Sequence, residues 1–146
     1  MQCKVVTSKD EYLECISLGR HHYNEVERRF TGLPYEPKYA LFIQLFEEGH
    51  MNCVALLDGG VVVGYVLVSI SPSLFSNSLQ AQEIGVYIDN RYRGQGWFKQ
   101  MLELTETELS KRGVTALMLA FKSGLSHKLP EGYVEAETFH IKKLEA

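Results

Sequence analysis

Paired cysteines, long apolar runs and an excess of one charge are all missing from this chain. Cys3, Cys15 and Cys53 are odd in number and far apart, and no C-x-x-C pair occurs. Such spacing indicates neither a zinc site nor a disulfide framework. Reduced, buried thiols in a cytoplasmic protein are the expectation. The longest apolar stretch, around Gly60 to Ile70, falls far short of the roughly 20 residues that cross a bilayer. Met1 to Asp10 is polar and lacks the apolar core of a signal peptide. With 15 Lys and Arg against 18 Asp and Glu, the formal charge is only −3. No nucleic-acid or membrane partner is expected on this basis, and no metal is implied. A mildly acidic surface tolerates a cationic substrate without arguing for one.

What remains is an ordinary globular composition, 45% hydrophobic over 146 residues, enough for one domain with a sizeable core. Lys4 to Thr7 reads as a strand. Ser8 and Asp10 cap a helix through Tyr12, Leu13, Ile16 and Leu18 that stops near Gly19. His21 to Phe30 reads as a loop or a second helical turn, and Thr31 to Pro37 as a loop. Tyr39 to Glu48 has an amphipathic helical pattern closed by Gly49. Asn52 to Leu57 and Val61 to Ile70 are strands joined by Asp58-Gly59-Gly60, a strong hairpin signal. Ser71 to Ser78 is a connection and Ala81 to Ile88 a third strand of this group. Trp97 to Arg112 is a helix striped with Met101, Leu102, Leu104 and Leu109. Thr115 to Phe121 is continuously apolar and predicts a central strand buried on both faces. Lys122 to Glu131 is irregular, and Tyr133 to Leu144 alternates as a final strand. Interleaved helices and strands define an α/β or α+β fold with a mixed sheet. The Ala81 to Phe121 unit predicts a parallel, right-handed crossover.

One stretch carries chemistry: Arg91-Tyr92-Arg93-Gly94-Gln95-Gly96, between a strand and a helix. The first turn of a helix has unbonded N–H groups at the positive end of its dipole. Glycines remove the side chains that would hold an anion away, so a pyrophosphate can rest on the amides. Arg91 and Arg93 can reach outer phosphates. The pattern is neither a dinucleotide fingerprint nor a P-loop, since the required spacing and Gly-Lys-Ser/Thr are absent. A tight turn with no ligand is the plain alternative.

Arg91, Gly94 and Gly96 match the Gln/Arg-x-x-Gly-x-Gly/Ala motif of the GNAT superfamily of acyl-CoA-dependent N-acyltransferases, which this chain resembles from about Cys53 onward. Asp58 to Tyr65 looks like that family's hairpin, Glu83 to Ile88 like its fourth strand, Gly132-Tyr133 like its Gly-Phe pair, and Phe139 to Leu144 like its last strand. His22-Tyr23-Asn24-Glu25-Val26 resembles a small group often encoded by phages and prophages. The resemblance implies a mostly antiparallel central sheet with a splayed parallel pair, flanked by helices, in one domain spanning 1–146. It implies acetyl-CoA as co-substrate, with its pantetheine arm on backbone groups of Val86, Tyr87 and Ile88. Arg91, Arg93, Gly94, Gln95, Gly96 and Trp97 would surround the pyrophosphate.

The implied reaction is acetyl transfer to a primary amine by direct attack, on a small-molecule or protein acceptor, by a monomer or homodimer. A carboxylate takes the amine's proton. Glu83 is the first candidate and Glu25 the second. His22, Tyr23 and Glu25, with His21, lie where the family's acceptor site forms. Tyr23, Phe30, Tyr35 and Phe75 are further candidates for that pocket, although Tyr35, Tyr39, Phe42 and Phe46 also read as core. Two positions depart from the pattern. Lys128 stands where the family often has an acidic tyrosine, leaving His127 or Tyr133 to substitute. Phe98 stands where a small residue is common. These departures keep open a second reading, a binding module that holds CoA or a protein partner without turnover.

Overall fold

A computed structural model describes residues 1–121 and 129–144. Five strands form one sheet in the order β1 (Gln2–Val5), β2 (Met51–Asp58), β3 (Val61–Pro72), β4 (Leu79–Ile88) and β5 (Val114–Met118). The first three pairings are antiparallel and β4–β5 is parallel, so the expected mixed sheet is present. The Asp58-Gly59-Gly60 turn works as its residues require, with Gly59 and Gly60 at φ 58° and 84°, where side-chain-bearing residues are strained.

The helices are α1 (Lys9–His22), α2 (Arg28–Thr31), α3 (Tyr39–Glu47) and α4 (Trp97–Lys111). Between α1 and α2 the chain makes one wide π turn, Tyr23–Glu27. Ser8 caps α1 by accepting from the Glu11 amide at 3.2 Å. The sheet separates two apolar layers. On one side Tyr12, Cys15 and Ile16 of α1 meet Cys53, Tyr65, Leu67 and Tyr87, with Phe42 and Phe46 of α3 packed against them. On the other, Met101 and Leu109 of α4 meet Val54, Leu56, Val66 and Val68. Cys15 and Cys53 are buried and Cys3 is half-buried.

Three expectations are corrected. α1 does not stop at Gly19 but runs on to His22. Gly19 is a seat rather than a stop, because a Cβ there would lie 2.8 Å from the Tyr35 hydroxyl and 3.1 Å from that of Tyr65. Gly19→Ala gains about 1 kcal/mol of helix propensity and loses about 1–3 kcal/mol to overpacking. A urea titration should therefore find the variant less stable by about 1 kcal/mol. A more stable variant would mean that the two tyrosines yield freely.

Second, β5 is an edge strand and not a central one, and Ala116 and Met118 are exposed. Among the described residues it pairs with β4 alone. Third, Tyr133 to Leu144 forms no strand. Val134, Phe139, Ile141 and Leu144 are exposed, and residues 129–144 contain neither strand nor helix. Alternation supplies a strand with two faces, but the ladder also needs a paired edge, and this segment has none. Most of the irregular Lys122 to Glu131 stretch, with His127 and Lys128, lies outside the described residues.

Candidate active site

β4 builds the site. Leu67 pairs with Gly85 and Val68 with Glu83, so Ile84 is an extra residue, a β-bulge. A bulge of this kind bends its strand and breaks the ladder locally. Among the described residues pairing with β5 covers Leu79 to Gln82 and ends at Met118, which leaves an opening beside the later residues of β4. The Asp89 amide donates to the Val63 carbonyl at 2.8 Å, and this bond sets the phase of the ladder. Hydrogen-bonded pairs alternate along an antiparallel ladder. With Tyr65 opposite Tyr87 and Val66 opposite Val86, the N–H and C=O of Val86 and Ile88 point away from β3 and into the opening. Those of Tyr87 point at β3. Of the three residues expected to offer backbone groups to a cofactor, Val86 and Ile88 turn theirs away from β3, and Tyr87 does not.

The loop after β4 makes a 3-10 turn, Asn90–Tyr92, capped by Asp89, whose side chain accepts from the Arg91 amide at 3.0 Å. Gly94 and Gly96 have φ 74° and 86°, and a Cβ built on either meets nothing within 4 Å. The space before them is open. Gly96 is the N-cap of α4 and offers no side-chain cap. Gln100 is the first residue to donate back along the helix, to the Gly96 carbonyl at 3.3 Å. The amides of Trp97, Phe98 and Lys99 have no acceptor within the helix. This is a cradle for an oxygen-rich anion.

Side chains brace the cradle. Gln95 donates to the Arg91 carbonyl at 3.2 Å and accepts from the Trp97 indole at 3.3 Å. The Trp97 ring packs against the core on the α4 side, so only its amide faces the cradle. Arg91 is exposed and paired with Asp89 at 3.1 Å, which holds that carboxyl below its usual range. The Tyr92 hydroxyl donates to Asp58 at 2.6 Å and ties the loop to the β2–β3 hairpin. Nothing in the sequence signals this contact across 34 positions. Tyr92→Phe should leave the fold intact and weaken CoA binding a few-fold in a calorimetric titration. Unchanged affinity would show that the loop holds its shape without the tie.

Arg93 does not face the cradle. Its Nε donates to the Ile88 carbonyl at 2.7 Å and its NH2 group to Glu25 at 3.2 Å. Its guanidinium stands 5.4 Å above the Tyr87 ring. His21 and His22 each lie 6.3 Å from that ring, nearly parallel to it. The residues expected to read the acceptor therefore meet those expected near the cofactor, at Tyr87.

A cavity of about 280 Å³ opens between the end of α1, the π turn and the bulge. Its lining includes His22, Tyr23, Glu27, Tyr35, Phe42, Tyr65, Ile84 and Gly85. Tyr23 donates to or accepts from Thr31 at 3.1 Å, and the Tyr35 hydroxyl donates to the Ile16 carbonyl. Burial pushes the Tyr35 phenol up to about 12. Burial also raises the Tyr65 phenol, and Glu83 adds to that rise, which puts this carboxylate within electrostatic reach of the cavity wall. Glu25 lies outside the lining, paired with Arg93. Phe75 is 99% exposed at the far end of β3–β4 and has no part in the cavity.

Glu27, Tyr65 and the bulge were not foreseen. The bulge does leave a trace in the sequence. Ala81, Val86 and Ile88 all pack toward α4, and an odd step from 81 to 86 breaks strand alternation. Tyr133 donates to Glu106 on α4 at 2.8 Å. Burial and this bond raise its phenol well above the ordinary tyrosine range. Glu106 lies roughly 14 Å along α4 from its first turn, at 1.5 Å per residue.

The sequence profile of the acetyltransferase (GNAT) family matches residues 20–127. The chain belongs to that family. Solved structures share the fold at low identity. An aminoglycoside acetyltransferase from an uncultured soil metagenomic sample, in complex with sisomicin, superposes with a TM-score of 0.69 at 10% identity, over 93% of this chain and 96% of its own. The ribosomal-protein-alanine N-acetyltransferase of Brucella melitensis biovar Abortus 2308 gives 0.62 at 15%, over 85% and 83%. A Clostridium acetobutylicum predicted acetyltransferase with acetyl-CoA gives 0.66 at 10%, over 93% and 96%. No curated protein sequence matches. Among the described residues no helix is long and apolar enough to cross a membrane, and no group of three or more His, Cys, Asp or Glu is placed to hold a metal.

Proposed function

We propose that this chain is an N-acetyltransferase that passes the acetyl group of acetyl-CoA to a primary amine held in the cavity between α1 and β4. One observation supports this above the others. A single strand, β4, turns the backbone groups of Val86 and the amide of Ile88 away from β3, leads into an open glycine cradle, and forms one wall of a cavity. The residues fit the co-substrate by its chemistry. Amides of Gly94 to Lys99 suit the pyrophosphate, and Val86 and Ile88 suit the amide-rich pantetheine arm. Acetyl-CoA supplies an acyl group already activated as a thioester.

The chain's own residues position and deprotonate the amine. Glu83 precedes the bulge and takes the proton. The Val86 amide holds a carbonyl oxygen in the opening. Tyr133 is a poor proton source, because its hydroxyl is committed to Glu106. A thiol's pKa of about 8.5 lets the thiolate leave without a dedicated acid.

The binding-module reading has one observation in its favour. Arg93 occupies the Ile88 carbonyl that the pantetheine arm needs. Thermal melting with acetyl-CoA, followed by thiol release across a panel of amines, separates the two. A melting shift with thiol release supports the enzyme. A shift with no acetylated amine supports the module, and no shift overturns both.

A further inference from the structure

The acceptor's chemical class is written in the cavity walls. We infer that the acceptor is a small, mostly apolar primary amine with one positive charge, an aralkylamine rather than a polyamine or an aminoglycoside. The inference rests on the transferase reading of the same site. Four aromatic rings, Tyr23, Tyr35, Phe42 and Tyr65, surround a volume of about 280 Å³. That space matches a ring with a short amine arm and is small for a multi-ring polycation. Among the described residues Glu27 is the one carboxylate of the lining, and no lysine or arginine lines the cavity. One counter-charge suits one ammonium. A second ammonium, or a set of sugar hydroxyls, would lose its water against aromatic faces without hydrogen bonds in return.

The walls are set before any ligand arrives. Tyr23 and Tyr35 pack at 5.5 Å with their rings tilted by 44°. Thr31 holds the first and the Ile16 carbonyl the second. Tyr65 is confined by two glycines. A Cβ on Gly85 would come within 3.2 Å of its ring, and one on Gly19 within 3.1 Å of its hydroxyl. Rigid rings around a carboxylate form a cage for an alkylammonium, attractive through the ring faces and low in ordering cost. His22 lies 4.0 Å from Glu27. Ile84 and Gly85 close the wall nearest the opening, so an amine in the cage borders the splayed part of β4.

The test compares 2-phenylethylamine, spermidine, tobramycin and an alanine-starting peptide by thiol release with acetyl-CoA. Calorimetric titration of each amine onto the CoA-saturated chain reads binding independently of transfer. The expected result is a kcat/KM at least tenfold higher for 2-phenylethylamine than for any other. Glu27→Gln should raise its KM about tenfold with little change in kcat and with the acetyl-CoA melting shift intact. Preference for spermidine, tobramycin or the peptide overturns the inference, as does an unchanged KM in Glu27→Gln. Binding of 2-phenylethylamine with no acetylation would keep the cage and overturn the transferase reading. Failure of 2-phenylethylamine to bind, with spermidine or tobramycin still acetylated, would do the reverse.

Discussion

Gly96→Glu is expected to remove the melting shift that acetyl-CoA gives the unaltered chain, with affinity lost by more than about a hundredfold. Two effects act together. Gly96 sits at φ 86°, and a side-chain-bearing residue held there costs roughly 1–2 kcal/mol. The larger effect is charge. A carboxylate at this N-cap takes the position that the pyrophosphate needs. Two unit charges about 4 Å apart at a protein surface repel by about 4 kcal/mol, close to three decades in affinity. A Cβ at this position meets nothing within 4 Å, so the substitution should leave a folded protein. Gly96→Ala separates the two effects, since it carries the backbone strain alone and should weaken binding by no more than about tenfold. Retention of the full shift by Gly96→Glu would show that the cofactor does not use this cradle.

The cradle was legible in the sequence because its parts are local. Gly94 and Gly96 are adjacent in the chain to the helix they open, and glycine announces positive φ wherever it occurs in a turn. The hairpin at Gly59 and Gly60 was legible for the same reason. What escaped depended on distant parts of the chain. Gly19 looked like a helix stop because nothing nearby shows that Tyr35 and Tyr65 rest upon it. Arg93 looked like a phosphate ligand, and its turn toward Glu25 and Ile88 spans up to 68 positions. The cavity beside β4 drew Tyr35 and Phe42 from segments that read equally well as core. β5 read as central because the apolar run Ala116 to Phe121 implies two covered faces, yet its burial depends on a further strand that Tyr133 to Leu144 does not form.

Glu83→Gln should leave acetyl-CoA binding unchanged and slow transfer about a hundredfold at pH 7, the low end of what a positioned proton acceptor contributes. Glu83 is outside the cavity lining, and its proposed role rests on its place beside the bulge. Glu83 opposes Val68 immediately before the extra residue Ile84, at the point where β4 leaves β5. Its charge is felt by Tyr65 in the cavity wall. Glutamine keeps the shape and removes the basicity, so the melting temperature without ligand should barely move, and that measurement guards against a structural cause. The variant also has a diagnostic pH profile. An alkylamine has a pKa of about 10, so its free-base fraction rises tenfold per pH unit below that value. Without a protein base, only pre-formed free amine reacts, and kcat/KM should climb with unit slope from pH 7 toward pH 9. If Glu83→Gln turns over at the unaltered rate at pH 7, the proton leaves by another route and Glu83 is only a strand residue.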